Sequence, residues 1–341
     1  MATQTPEIYS FEIPPRPDRP VDGETGLAFG DYADDRFRIV RSLPSNSVTE
    51  VFEATDRVQA DPVAIKFFRE PSPVVSQHVD FELRAHAAVS GETGIVPLRT
   101  MGVAETAAGL QRYMVTRLAP RGSLQDVTRH RGGDLDLALS VGQRITPGLL
   151  AAHQRNVAHR DIKPNNILVV DSDEFELTDF GVAEPIKNRG RAGSGPVELD
   201  MMLPDLADFE TMPDYRDPSD LKQFVGTLGY AAPETIMDAP ETPQVDVFGL
   251  MATLYKVATG KLPFKHEAGM PVDTYLHIIE EGPVPAHVLN GSIPLSFDQL
   301  TKEGLSPDPA VRPSLGAVIV RLEAIRQEIA AQADQQDLVL A

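Results

Sequence analysis

Residues 158–170 read AHRDIKPNNILVV, and the polar turn DSDE then separates that apolar run from a second one, FELT, which ends one residue before Asp179. Two short β-prone runs split by turn residues predict a hairpin that folds the chain back and returns Asp179 to the end occupied by 159–166. Pro164 disfavours a helical Lys163, so the stretch is expected to be a compact loop that aims Asp161 and Asn166 into one cleft. A carboxylate there can accept a hydroxyl proton, and an amide oxygen can ligate a hard cation. Lys163, between them, can neutralise a transferring phosphoryl group, and Asp179 supplies a second metal ligand. Any single charged loop is more often a solvated surface turn, but the spacing and the returning hairpin set this one apart. Phosphoryl transfer needs little beyond positioning and charge neutralisation, so one base, one lysine and two metal ligands in one crevice are a sufficient kit.

At 341 residues, 42% apolar and 24% charged, the chain is long enough for two packed lobes. The balance of 31 Lys and Arg against 50 Asp and Glu gives a net charge of -19, which opposes attachment to polyanions, so no nucleic-acid partner is expected. There is no cysteine, hence neither a disulfide framework nor a thiolate metal site. No uncharged apolar run reaches about eighteen residues, and MATQTPEIYS lacks the regions of a signal peptide. The expectation is a cytoplasmic protein without a membrane span.

Residues 1–34 are rich in proline (EIPPRPDRP) and are expected to be a disordered arm. FRIVRSLP, TEVFEATD and DPVAIKFF are β-rich runs split by turn residues, whereas 134–156 and 245–260 have helical apolar spacing. A small β-rich front part therefore precedes a larger helical rear part. Residues 186–221 begin basic and turn acidic, the composition of an inserted loop, and LGAVIVRLEAIRQEIAAQ reads as an amphipathic helix with a polar tail.

Several motifs in order carry a resemblance to the eukaryotic-type protein kinase family. HRDIKPNN (159–166) resembles its catalytic loop, DFG (179–181) its metal-binding motif and VAIK (63–66) its third strand. GTLGYAAPE (226–234) is similar to the end of its activation segment, VDVFGLMATLYKVATGKLPF (245–264) to its central helix and sequel, and DPAVRP (308–313) to its late arginine motif. The resemblance covers about residues 37–328. It implies an α+β, bilobal fold with lobes at 35–119 and 120–328, flanked by the arm and a polar tail at 329–341. It also implies transfer of the γ-phosphoryl group of ATP to protein hydroxyls with Mg2+, or Mn2+ in its place, as cofactor.

By the same resemblance, Lys66 holds the α and β phosphates and pairs with Glu82 of VDFELRAHAAV. Asp161 is the base, Lys163 the charge stabiliser, and Asn166 and Asp179 the metal ligands. Leu43, Val51, Ala64 and Leu168 wall an adenine slot, with Thr116, Arg117, Leu118 and Ala119 connecting the lobes. Lys163 followed by Pro164 matches the serine and threonine branch. Glu234 and Arg312 resemble a buried pair that staples the activation segment, and Asp246 resembles the residue that anchors the backbone of the catalytic loop.

One departure stands out in LPSNSVTEVFEA (43–54), where the family's three glycines are replaced by Pro44, Asn46 and Thr49. Proline lacks a donor and a β-branched threonine resists positive φ, so the phosphate cradle is altered. Losing one charge-assisted hydrogen bond costs about 1.5–3 kcal/mol, or roughly tenfold to hundredfold in rate. The expectation is a slowed serine/threonine protein kinase. Its alternatives are a pseudokinase scaffold and, less in keeping with GTLGYAAPE and DPAVRP, a kinase of small molecules. Arg160 beside the base implies an anion in the activation segment, either phosphorylated Thr211 or Ser219 or a standing charge from Asp217 or Asp220.

Overall fold

Phe37 and Ile39 are buried while Arg38 between them is exposed, the period-two alternation of a sheet with one solvated face. The computed structural model describes residues 26–27, 30–45, 48–70, 72–129, 131–180, 184–185, 228–236, 239, 241–264 and 277–340. The arm up to residue 25, Asn46, and the insert at 186–221 with Thr211, Asp217, Ser219 and Asp220 lie outside them.

The described residues divide into two units: one up to Val75 together with Arg99–Leu118, the other of Ser76–Leu98 and the chain from Ala119 on. In the first, strands β1 (Tyr32–Ala33), β2 (Phe37–Leu43), β3 (Thr49–Asp56), β4 (Pro62–Phe68), β5 (Leu98–Thr106) and β6 (Gly109–Arg117) form one sheet in the order β1-β2-β3-β4-β6-β5. The pairings β2 with β3, β3 with β4 and β4 with β6 are antiparallel. Phe37, Phe52, Phe67 and Tyr113 pack with Ile39, Val63 and Ile65 on one face. The ring pairs Phe52–Phe67 and Phe37–Tyr113 meet edge to face.

Helix α1 (Pro73–Val89) lies in sequence between β4 and β5, yet its described residues from Ser76 on cluster with the second unit. That unit continues with α2 (Leu124–Thr128), α3 (Leu135–Gln154), the short strands β7 (Val157–Ala158), β8 (Ile167–Asp171), β9 (Glu174–Leu177) and β10 (Glu184–Pro185), then α4 (Pro233–Ile236), α5 (Gln244–Thr259), α6 (Ala286–Leu289), α7 (Leu295–Gly304) and α8 (Leu315–Leu340). Helix α8 thus runs on through most of the segment read from sequence as a polar tail.

Fourteen of the sixteen residues of α5 are buried, which makes it the interior axis of this unit. Helices α3 and α8 and the β8–β9 hairpin share its core. The local signals are ordinary: Ser123 and Asp126 form a capping box on α2, Asp134 caps α3, and Gly260 ends α5 at φ 76°, a conformation that costs glycine little.

Candidate active site

The hairpin forms as the sequence predicts. β8 and β9 pair antiparallel around Ser172 and Asp173, with Ile167 opposite Leu177. Just beyond that pair, the Thr178 N–H donates to the Asn166 carbonyl at 2.9 Å, which ties the segment entering Asp179 to the end of the polar loop. A second tie comes from His159, whose Nε2 faces the Thr178 carbonyl at 3.0 Å. Its Nδ1 accepts the Asp161 N–H at 3.3 Å, and the two contacts together fix the Nε2–H tautomer.

Within the loop Lys163 has the extended backbone expected before proline, φ -155°, and Pro164–Asn166 form one 3-10 turn. This folds three side chains onto one point. Lys163 Nζ donates to Asp161 Oδ2 at 2.6 Å. Asn166 Nδ2 donates to the same oxygen and to the Asp161 carbonyl, each at 2.9 Å. The other carboxylate oxygen, Asp161 Oδ1, is buried with no hydrogen-bond partner among the described residues. A buried acceptor left bare costs free energy that a purely structural loop has no reason to carry.

Arg160 and Asp179 both have φ 66°, the left-handed region that non-glycine residues avoid at a cost of about 1–3 kcal/mol each. The support for Arg160 is visible. Asp246, at the start of α5, accepts the Arg160 N–H at 2.6 Å and the His159 N–H at 2.8 Å, and His153 Nε2 lies 2.7 Å from its Oδ2. Burial alone would raise the Asp246 carboxyl. The hydrogen bond and charge of His153, with His159 and the Arg160 amide, outweigh burial and hold it below the usual carboxylate range. Phe180, fully buried, follows Asp179 and packs between His159 at 4.7 Å and His86 of α1 at 5.5 Å between ring centroids.

The expected staple also forms. Arg312, buried, donates to both carboxylate oxygens of Glu234 at 2.6 and 2.8 Å, and spends its remaining donors on the carbonyls of Ser306, Gln244 and Pro307. Its guanidinium lies over the Phe248 ring, 5.1 Å from the centroid.

Glu82 is buried on α1, and Leu168 and Ala119 are half-buried, all in the second unit. In the first unit the register places Leu43 opposite Val51, Val51 opposite Lys66, and Ala64 opposite Thr116. Direct cross-strand partners share a face, so these residues line the side of the sheet turned away from the phenylalanine core. Lys66 Nζ lies 5.2 Å from the Phe68 ring centroid. Arg117 and Leu118 follow, half-buried, at the end of β6.

Met114, buried and directly opposite Lys66, joins that face but did not figure among the residues read from sequence. Its signal was its place two residues before Thr116. His153 and His86 were also missed, because a histidine on a helix looks the same in sequence whether or not it has a partner. At the altered phosphate loop, Ser45 Oγ donates to the Leu43 carbonyl and accepts the Val51 N–H, both at 3.0 Å. Thr49 opens β3, buried opposite Phe68.

No described group of three or more His, Asp or Glu side chains makes a metal site by itself. Asn166 and Asp179 carry oxygen donors of the kind a hard divalent cation takes. Asn166 turns both described amide hydrogen bonds toward Asp161, so its amide oxygen takes no part in them. Among the described residues no helix is long and apolar enough to cross a membrane.

Comparison with known proteins agrees with this geometry. The family model described as protein kinase domain matches residues 37–322. The chain is 28% identical over 297 residues to the serine/threonine-protein kinase PknD of Mycobacterium tuberculosis, covering 85% of this chain and 38% of that protein. It is 28% identical over 299 residues to PknE of the same species, covering 86% and 46%, and 32% identical over 238 residues to PknK of Mycobacterium bovis, covering 69% and 18%. The chain therefore spans less than half the length of these relatives. A match over most of its length, joined to the ordered motifs and the hairpin-and-loop geometry, means that the chain belongs to the protein kinase family.

Proposed function

We propose that this chain transfers the γ-phosphoryl group of ATP to serine and threonine hydroxyls of proteins, its own among them, with Mg2+ as the working cation and Mn2+ as a substitute. The observation that carries the reading is the convergence of Lys163 and Asn166 on Asp161 Oδ2 while Oδ1 has no hydrogen-bond partner among the described residues. In this reading Oδ1 takes the proton of the acceptor hydroxyl, and Lys163 compensates charge on the phosphoryl oxygens. Asn166 and Asp179 would hold the cation, which when bound neutralises the phosphates. Lys66 would hold the α and β phosphates and pair with Glu82. Leu43, Val51, Ala64 and Leu168 would wall the adenine, and the stretch Thr116–Ala119 would join the lobes. The acidic net charge supports a reading without a nucleic-acid partner, and a reaction that consumes ATP suits the cytoplasm.

Incubation with γ-labelled ATP and Mg2+ tests the reading. Label is expected on serine and threonine of the chain and of added casein, and it should vanish in Asp161→Asn and Asp179→Ala. A second reading, a nucleotide-binding scaffold without turnover, is favoured by the glycine-less loop, whose Ser45 hydroxyl closes on the Val51 N–H. That reading holds if ATP raises the melting temperature of the native chain while no label transfers.

A further inference from the structure

Arg160 is gripped twice by a single stretch of chain. Its N–H is held by Asp246 Oδ1, and its side-chain Nε lies 3.0 Å from Oε2 of Glu241, five residues earlier. The two side chains are only 18% and 10% exposed. Both atoms are buried and lie off the N–H axis, so the contact is a Coulombic ion pair rather than a directional hydrogen bond. Burial makes such a pair stronger and less salt-sensitive than a surface one.

The stretch that presents Glu241 is itself fixed. Pro243 stands at the N-cap position of α5, the Val245 N–H donates to the Thr242 carbonyl at 3.1 Å, and Arg312 donates to the Gln244 carbonyl at 3.0 Å. Glu241 lies after Glu234, outside the segment in which the sequence led us to expect an anion for Arg160.

We propose that Glu241 is a positioning residue for Asp161: a built-in carboxylate that holds the Arg160 side chain, so that the strained loop keeps its active shape without a phosphate on the segment between Asp179 and Glu234. This rests on the kinase reading above and names how that site is regulated. A phosphate placed near Arg160 gains its ordering power by neutralising the guanidinium. Here a carboxylate of the chain already does so, and a phosphate has less to add.

The test uses the full chain, treated with a phosphatase that is then removed, and casein as the acceptor. The native chain is expected to keep its kcat within about twofold after dephosphorylation, whereas dephosphorylated Glu241→Gln should lose roughly tenfold in kcat with the KM for ATP unchanged. Glu241→Asp, which keeps the charge, should recover part of the loss. A merely structural glutamate would not produce this split between kcat and KM. A native chain that loses tenfold on dephosphorylation overturns the proposal, as does a Glu241→Gln variant equal to the native chain.

A thermal double-mutant cycle of Arg160→Gln and Glu241→Gln separates this proposal from the kinase reading. The two effects should be non-additive by about 2 °C or more, and additive melting overturns the proposal whatever the turnover. Non-additive melting in a chain that never labels casein sinks the kinase reading and leaves the ion pair standing.

Discussion

The Asp246 carboxylate holds Arg160 by its backbone, with Oδ1 accepting the Arg160 N–H at 2.6 Å. It does so from a helix with almost no exposed surface. The loop that carries Asp161 therefore takes its shape from behind: a fully buried anion on α5 stabilises the positive φ of Arg160, and Asp161 follows from that bend. The side chains belong to the loop, but their placement belongs to the core.

Stability toward acid should report this anchor. The folded-state pKa of Asp246 lies below that of an unfolded aspartate, so its contribution is present above about pH 4 and is lost as pH falls through the lower, folded value. Asp246→Asn should melt well below the native chain at pH 7, and the gap should narrow as pH drops below 4. Melting temperatures of both chains between pH 7 and 3 check this, and a constant gap would sink it.

Gly249 separates activity from stability. A Cβ there would lie 3.2 Å from the Ile162 carbonyl and 3.3 Å from the Ile162 Cβ, so the residue after Asp161 would have to shift by a few tenths of an ångström. Alanine also gains about 1 kcal/mol of helix propensity over glycine. Gly249→Ala should therefore melt within about 3 °C of the native chain while its kcat falls roughly tenfold.

The staple between Glu234 and Arg312 is expected to behave as a buried pair. Arg312→Ala leaves Glu234 buried and unpaired and should cost about 3–5 kcal/mol in urea unfolding. Replacing both residues by apolar ones of similar size should cost less than Arg312→Ala alone. If the double replacement proves the worse of the two, the ion pair itself is a larger source of stability than burial arguments allow.

The elements most legible in the sequence were those whose signal is local. Alternation gave β2 to β4, the turn DSDE gave the hairpin, and Pro164 gave the extended Lys163, because each depends on a few neighbouring residues. Asp161, Lys163 and Asn166 were legible together because their contacts span only five residues. Glu241, His153 and Met114 were not, since each owes its place to a partner that is distant in sequence or on another strand. The affiliation of α1 escaped for the same reason: its sequence position lies between two strands, whereas Ala85 and Val89 pack into the helical core.

Asn166 combines two jobs that substitution can divide. Its Nδ2 donates to Asp161 twice, and in the proposed reading its oxygen serves the cation. Asn166→Asp keeps an oxygen ligand but loses both donors and sets a second carboxylate against Asp161, so its Mg2+ dependence should stay within about threefold of native while kcat falls roughly hundredfold. Asn166→Ala loses ligand and donors together, so kcat should fall at least as far and the Mg2+ needed for half-maximal rate should rise about tenfold. Initial rates across a Mg2+ titration at saturating ATP measure both quantities. If added Mg2+ restored full kcat to Asn166→Ala, the hydrogen bonds to Asp161 would be dispensable and the orientation of the base would have to come from Lys163 and the loop backbone alone.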